Sequence, residues 1–344
     1  MKILIDIGHP AHVHFFKNFI WEMQKRGHEI KITAREKDVT FHLLKAYGFD
    51  FVNLGEHKKD LIGKLKGLVE FDWKVYKVAK KFNPNILIGR GSPYIAHVAK
   101  ILRKNSVLFV DSEHAWFVHK LAVPFVNYVV SPTSFRRNFG SRHIYYNGFK
   151  ELAYLHPQYF KPDHKILKIL NLKKNEKFFI VRFVAWGAFH DIGQRGLGDE
   201  GLKLIKLLED YGKVFITSEL PFKYLKKNIL HIPPEKIHDL LYFATLYIGE
   251  GGTMASEAGL LGTPSIHIST TAKYCGVYDQ LQNKYGLVYI FSRPKEAIKK
   301  VIEWLNSGVD LKKEWRRRRK LLLKEKIDVT SWMVKFVEKI YEGE

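Results

Sequence analysis

The opening run Lys2-Ile3-Leu4-Ile5-Asp6-Ile7, closed by Gly8-His9-Pro10 and followed by a segment of helical period, sets the pattern that constrains the whole chain. A short run with few polar residues, ended by turn residues, reads as a strand buried on both faces. Parallel strands need a crossover between them, usually a helix. The rhythm continues. A helix is predicted over residues 12–26, ended by Gly27, then a strand at 28–34, a helix at 37–47 and a strand at 49–54. A long basic helix follows at 60–82, a strand at 85–89, a helix at 93–103, and strands at 106–110 and 128–131. Strands alternating with helices predict an α/β fold with a parallel sheet covered on both faces.

Residues 154–177 break the rhythm with Pro157, Pro162, several lysines and no clean period. The second half then restarts it, with strands expected at 178–184, 214–217, 246–249, 265–268 and 288–290. Helices are expected at 198–211, 234–243, 254–261, 278–285, 293–306, 311–324 and 329–341. A chain of 344 residues exceeds one ordinary domain and suits two. The expected division is a first domain over 1–155, a linker over 156–176, a second domain over 177–325 and a final helical segment, 326–344, returning to the first domain.

Charge restricts the partners. The 57 Lys and Arg residues exceed the 35 Asp and Glu residues, for a net charge of +22. That surplus suits nucleic acid, an anionic lipid surface or a phosphorylated substrate, and a lysine-rich thermophile composition explains it equally well. The lysines of residues 58–81 are interleaved with Leu61, Leu65, Leu68, Phe71, Trp73 and Tyr76. Such a helix can lie on an anionic membrane, although one apolar face in the core and solvated lysines opposite is the expected arrangement. The run Arg316-Arg317-Arg318-Arg319-Lys320 is expected to be a solvated helix face. Neither run has the aromatic spacing of an RNA-binding sheet, which disfavours nucleic acid. The single cysteine, Cys275, excludes an internal disulfide, and no apolar run approaches the roughly 20 residues of a membrane span. With a strand beginning at Lys2 there is no room for a signal peptide, so the expected location is the cytoplasm, in part at the inner face of the membrane.

Five segments could carry chemistry. The first is Gly249-Glu250-Gly251-Gly252-Thr253-Met254-Ala255-Ser256-Glu257, which ends in Leu261-Gly262-Thr263-Pro264. A strand ends, two glycines turn, and a helix begins. Bare N–H groups at a helix start bind phosphate, and glycine lets it approach closely. Thr253 adds a hydroxyl, and Glu257, one turn on, could accept from a ribose diol. The second is Gly8-His9-Pro10-Ala11-His12-Val13-His14, at the carboxyl end of the first strand, where such sheets bind ligands. A neutral His12 could take a proton from a hydroxyl. On a helix His12 and His14 point in different directions, so no metal site is expected.

The third is Val110-Asp111-Ser112-Glu113-His114. Asp111 and Glu113, as paired carboxylates, could do acid–base work, or Asp111 or Ser112 could cap a helix. In the fourth, residues 181–195, Arg182 or Arg195 could pair with a diphosphate. The fifth is Gly89-Arg90-Gly91-Ser92-Pro93, which has the strand–turn–helix shape of an anion site.

These residues carry a resemblance. The glycine turn resembles the donor-nucleotide motif of GT-B-fold enzymes. It is similar to the Gly-x-x-x-x-x-Glu stretch of the peptidoglycan N-acetylglucosaminyltransferase. It is also similar to the Ser-Gly-Gly…Glu-Glu-Ala…Leu-Gly-x-Pro stretch of UDP-N-acetylglucosamine 2-epimerase, with Glu250 or Gly251 in place of the serine. Glu113, or Asp111, matches the glutamate of the epimerase's His-Val-Glu-Ala-Gly, and His190 resembles the histidine of its His-Arg-x-x-Asn. The Asp-rich epimerase segment is absent around Arg90. The chain also resembles an uncharacterised, largely archaeal family, domain of unknown function number 354, which is grouped with these enzymes.

The resemblance implies a GT-B-like fold of two Rossmann-like domains facing a cleft, without a tightly bound cofactor or metal. It implies a glycosyltransferase using a nucleotide-diphosphate sugar, UDP-linked, with a lipid-phosphate or glycan acceptor. A UDP-N-acetyl-sugar 2-epimerase is the alternative, and the charge alone leaves a non-catalytic nucleic-acid-binding protein as another. The nucleotide is expected at Gly251, Gly252, Thr253, Glu257, Arg182 and Arg195. His12, Glu113, Asp111 and His190 are expected to be catalytic. His9, His14, Arg90, Ser92 and Glu250 are secondary candidates.

Overall fold

The computed structural model describes residues 1–56, 61–184, 197–218 and 228–343. Its contacts divide the chain into two compact units, Met1–Tyr159 with Ile327–Glu344, and Phe160–Lys326.

The first unit alternates strands and helices: β1 (Lys2–Ile7), α1 (Pro10–Lys25), β2 (Glu29–Glu36), α2 (Thr40–Ala46), β3 (Phe51–Glu56), α3 (Leu61–Phe82) and β4 (Ile86–Arg90). It continues with α4 (Pro93–Leu102), β5 (Asn105–Phe109), α5 (Trp116–Ala122), β6 (Tyr128–Pro132), β7 (His143–Tyr146) and α6 (Leu152–Leu155). The seven strands form one parallel sheet in the order β3-β2-β1-β4-β5-β6-β7. The central strand β1 buries Ile3, Leu4, Ile5 and Ile7 completely, as its apolar run requires. Pro10 opens α1 with a fixed φ and no N–H to satisfy, and the Ala11 N–H is capped by His9 Nδ1 at 3.1 Å. Gly27, at φ +80°, ends the helix in the left-handed conformation glycine adopts without strain. Strand β7 carries no apolar run and sits at the sheet edge, so periodicity does not reveal it.

The second unit holds α7 (Lys165–Ile169), β8 (Phe178–Phe183), α8 (Gly198–Glu209), β9 (Lys213–Ser218), α9 (Ile237–Phe243), β10 (Leu246–Gly249) and α10 (Gly252–Leu260). It ends with β11 (Ser265–Ile268), α11 (Gly276–Asp279), β12 (Tyr289–Phe291), α12 (Pro294–Asn306) and α13 (Leu311–Glu325). Its five strands are parallel in the order β12-β11-β10-β8-β9. The last helix, α14 (Val329–Glu342), belongs to the first unit and packs on α1 and α6.

Two expectations change. Residues 160–176, read as linker, are part of the second unit. There α7 buries Ile166 and Leu167, and the Asp163 N–H donates to Asp239 at 2.8 Å. A helix of five residues is too short to show a period. The arginine run of α13 is a solvated face only in part: Arg316, Arg317 and Lys320 are exposed, whereas Arg318 and Arg319 are partly buried. Arg317 and Arg318 both hold Glu314 at 2.8 Å, and Arg318 also donates to the Gly286 carbonyl. Arg319 donates at 2.6 Å to the Leu260 carbonyl at the end of α10, and Arg316 lies over the Tyr242 ring. Cations near a helix carboxyl end satisfy carbonyls that have no partner in the helix and oppose the negative end of its dipole.

Candidate functional site

In a doubly wound sheet, ligands bind where strand order reverses, beyond the carboxyl ends of the two central strands. In the first unit that point lies between β1 and β4, and in the second between β10 and β8. The loops there are Gly8–His9 and Gly91–Ser92 in the first unit, and Glu250–Gly251 and the segment after Phe183 in the second. Several of the sequence-derived candidates lie in or beside these loops, and the two points are built differently.

In the first unit, the floor is an ion pair that pattern reading missed. Asp6, fully buried at the end of β1, takes two parallel hydrogen bonds from Arg35 of β2, both 2.9 Å, and one each from Thr33 and Ser92. Ser92 therefore serves Asp6, at 2.6 Å, and not an incoming anion. A Cβ on Gly8 would stand 2.2 Å from the Arg35 guanidinium, so the loop can cross it only as glycine. One acidic residue inside an otherwise apolar strand was the available signal.

Beside it lies a second charged group. Asp111 pairs with Arg90 and with Lys150, the latter at 2.6 Å, and Lys150 reaches the buried Glu151 at 3.2 Å. Burial acts to raise the Asp111 pKa. The Arg90 guanidinium and Lys150 ammonium outweigh it and hold the carboxyl well below the usual range. Asp111 is thus a fixed anion, and Arg90 is engaged with it. Lys150 and Glu151 were not foreseen, because they lie beyond the last strand that the sequence pattern reveals.

His12 is held neutral. Burial lowers its pKa most, and the positive Arg90 lowers it further, to well below the ordinary 6.5. The Gly8 N–H approaches His12 Nδ1 at 3.4 Å, the long limit of a hydrogen bond, and in that contact Nε2 carries the ring proton. The His9 ring lies 5.9 Å from the His12 ring, centre to centre. His14 is elsewhere, buried behind the helix against Tyr154, with Tyr47 Oη 3.2 Å from its Nδ1. Glu113 accepts the Arg136 N–H at 3.1 Å, which ties its loop to the segment after β6.

In the second unit, the turn after β10 keeps its shape through packing. A Cβ on Gly252 would meet Tyr278 Oη at 2.0 Å and His267 Nε2 at 3.1 Å. Tyr247 Oη donates to the Gly251 carbonyl at 3.1 Å. Residues 251–254 remain partly exposed, and the rest of α10 is buried. The first intrahelical bond runs from Ala255 N–H to Gly251 O at 3.0 Å, so the amides of Gly252, Thr253 and Met254 head the helix. Arg182, at the end of β8, flanks the turn, its Cγ 3.1 Å from where a Gly251 Cβ would stand.

The two acids of the motif are committed. Glu250 is buried and accepts backbone N–H groups on both oxygens, from Val184 at 2.8 Å and from Leu197. Its charge therefore faces the stems of the neighbouring segment. Glu257 is 4% exposed, and its Oε1 takes a hydrogen bond from His238 of α9 at 3.1 Å. It shares a helix face with Thr253, four residues earlier. His190 and Arg195 lie outside the described residues.

The comparisons agree with this architecture. The family model described as "Protein of unknown function (DUF354)" matches residues 1–341, and the chain belongs to that family. It is 26% identical over 277 residues to the uncharacterized protein MJ0665 of Methanocaldococcus jannaschii, covering 77% of this chain and 81% of that one. Among solved structures it resembles the spinosyn forosaminyltransferase SpnP, with a TM-score of 0.66, 13% identity and 99% of each chain covered. It also resembles UDP-GlcNAc 2-epimerase of Neisseria meningitidis bound to UDP-GlcNAc, with a TM-score of 0.69, 13% identity, and 98% of this chain and 100% of that one covered. The fold class is the α/β, GT-B-like class of glycosyltransferases and UDP-GlcNAc 2-epimerases.

Proposed function

We propose that this member of the family is a glycosyltransferase that uses a nucleotide-diphosphate sugar and needs no metal ion. The observation that carries the proposal is the partly exposed head of α10, placed at the switch point of its sheet with Arg182 beside it. Free amides at a helix start, a positive dipole end and a guanidinium together suit a diphosphate, and they can stabilise it as a leaving group. Thr253 would assist the phosphates, and Glu257 would meet the ribose. A UDP-linked donor is the first to try, because the similar Neisseria enzyme is bound to UDP-GlcNAc.

The acceptor hydroxyl oxygen attacks the anomeric carbon. The bond from that carbon to the diphosphate oxygen breaks, and the nucleotide leaves with the electron pair. The acceptor proton passes to His12, on the nitrogen left bare once its weak contact with Gly8 yields. A lipid phosphate or a glycan is the acceptor class, and the expected setting is the cytoplasm. Epimerisation is less well supported, because it needs groups that remove and return a proton at a sugar carbon. Asp111 is locked as an anion by two cations, and Glu113 is taken up by the Arg136 amide.

The test is calorimetric titration with nucleotides and nucleotide sugars, followed by mass analysis of incubations with and without an acceptor lipid. A mass gain on the acceptor supports transfer. Isomerisation of the nucleotide sugar alone, or no nucleotide binding at all, overturns it.

A further inference from the structure

The first unit carries a surface that the proposed chemistry does not use. Residues 71, 75 and 79 of α3 face the core, with Phe71, Val75 and Ala79 buried. A helix repeats every 3.6 residues, so residues 69, 73 and 77 form the opposite stripe. There Val69 is 70% exposed and Trp73 is 55% exposed. Helix α4, which buries six of its ten residues, packs against both α3 and α5. At the start of α5, Trp116 and Phe117 are 54% and 56% exposed.

One imidazole holds the two outer helices at a fixed spacing. His97 of α4 lies 2.8 Å from Asp72 Oδ2 on α3 by its Nδ1, and 2.9 Å from the Leu121 carbonyl on α5 by its Nε2. Both partners are acceptors, so both ring nitrogens donate and the ring is cationic. Hydrogen bonding to Asp72 raises its pKa accordingly. The exposed aromatics thus stand on two helices that are tied to each other through α4.

Trp73 and Trp116 each carry a lysine. Lys77 Nζ lies 4.9 Å above the Trp73 ring, and Lys120 Nζ lies 5.1 Å above the Trp116 ring. The acids of this stretch of α3 are paired, Glu70 with Lys74 at 2.7 Å and Asp72 with His97. Aromatic rings at headgroup level and lysines reaching phosphates are the chemistry of a membrane interface. A protein partner fits less well, because lysine is depleted in protein interfaces. Single-stranded nucleic acid fits less well, because it needs open ring faces for stacking. Here Trp73 has Tyr76 stacked at 5.7 Å as well as Lys77 above it.

We infer that the α3–α5 face of the first unit docks on an anionic lipid bilayer, with Trp73 and Trp116 entering the headgroup layer and Lys77 and Lys120 meeting lipid phosphates. This deepens the lipid-acceptor part of the function proposed above. Its test uses no nucleotide sugar, so failure of either leaves the other standing.

The experiment is co-sedimentation of the full chain with vesicles of phosphatidylcholine, with and without added phosphatidylglycerol. Binding is expected only to the anionic vesicles, with a blue shift of tryptophan emission. Lys77→Gln with Lys120→Gln lowers the partition coefficient about tenfold, at roughly a few-fold for each lysine near the surface. Trp73→Ala with Trp116→Ala lowers it by at least as much. Both pairs are more than half exposed at their rings or carried over them, and thermal melting checks that the fold is kept. Absence of binding to anionic vesicles overturns the inference, as does unchanged binding by either double variant. So does loss of the vesicle complex to competing RNA at equal charge.

Discussion

Glu257 of α10 and His238 of α9 form a hydrogen-bonded pair inside the second unit, 3.1 Å apart and 4% and 3% exposed. The carboxylate expected to meet a ribose is therefore also part of the core. Removing one partner of a buried, hydrogen-bonded pair strands the other. Glu257→Ala is expected to destabilise the chain by about 3 kcal/mol in denaturant unfolding, by the usual cost of breaking such a pair. Glu257→Gln keeps a hydrogen-bond acceptor and is expected to fold better but bind UDP more weakly. Equal UDP affinity in wild type and Glu257→Gln would remove this residue from the nucleotide site.

Asp111 is the centre of a buried charge group, so Asp111→Asn should be costly near neutral pH, by about 3–5 kcal/mol for a broken buried pair. Its folded pKa is depressed by Arg90 and Lys150 against the effect of burial. A depressed carboxyl contributes stability that is complete above its unfolded pKa and is lost as pH falls through the folded value. The stability gap between wild type and Asp111→Asn should therefore stay constant above pH 4, roughly the ordinary carboxyl pKa, and narrow only in stronger acid. Urea unfolding at a series of pH values measures it, and a gap that closes between pH 7 and pH 5 would show that another group dominates.

His12 is neutral because burial, then the charge of Arg90, lowers its pKa well below 6.5. Turnover should stay flat to pH values below 6.5 before its acid limb falls. His12→Gln should leave UDP binding unchanged and reduce turnover by about 10²–10⁴-fold, the usual contribution of a general base. The same depressed pKa means that the unfolded chain takes up a proton here more readily below pH 6.5, so this residue costs stability as the solution is acidified. An acid limb at or above pH 6.5, or a His12→Gln variant with full turnover, would assign the proton to another group.

Gly252 and Tyr278 share one space, since an added Cβ would lie 2.0 Å from the tyrosine oxygen. Gly252→Ala is expected to displace the helix head, weaken UDP binding at least tenfold, and cost about 1–3 kcal/mol as overpacking does. Adding Tyr278→Phe should recover part of both losses, because the hydroxyl goes while the ring stays. Additive effects in this double-mutant cycle would mean that the two residues do not meet.

The regular framework was legible because period is local. Short runs of few polar residues at 2–7, 86–89 and 246–249, each closed by turn residues, read as buried strands, and their alternation with helices makes them parallel. Side-chain partnerships were not legible, because they join distant positions. Asp6 finds Arg35 across one strand pair and Ser92 from the neighbouring strand, and nothing in the residues between them announces it. The role of Glu250 was not legible because its partners, the amides of Val184 and Leu197, have no signature in residue type. The glycine turn between β10 and α10 was legible because all its parts are contiguous. The charged group of the first unit was only half found, because Lys150 and Glu151 follow an edge strand without pattern.

The arginines of α13 bear on how this protein can be redesigned. Arg318 and Arg319 are the two that reach outside their own helix to carbonyls, those of Gly286 and Leu260, so their charge is structural. Lowering the isoelectric point to improve handling should begin elsewhere, at exposed Arg317 or at lysines without such engagements. Substituting Arg319 to curb nonspecific adhesion would loosen the anchor at the far end of α10 and would be mistaken for a loss of ligand affinity.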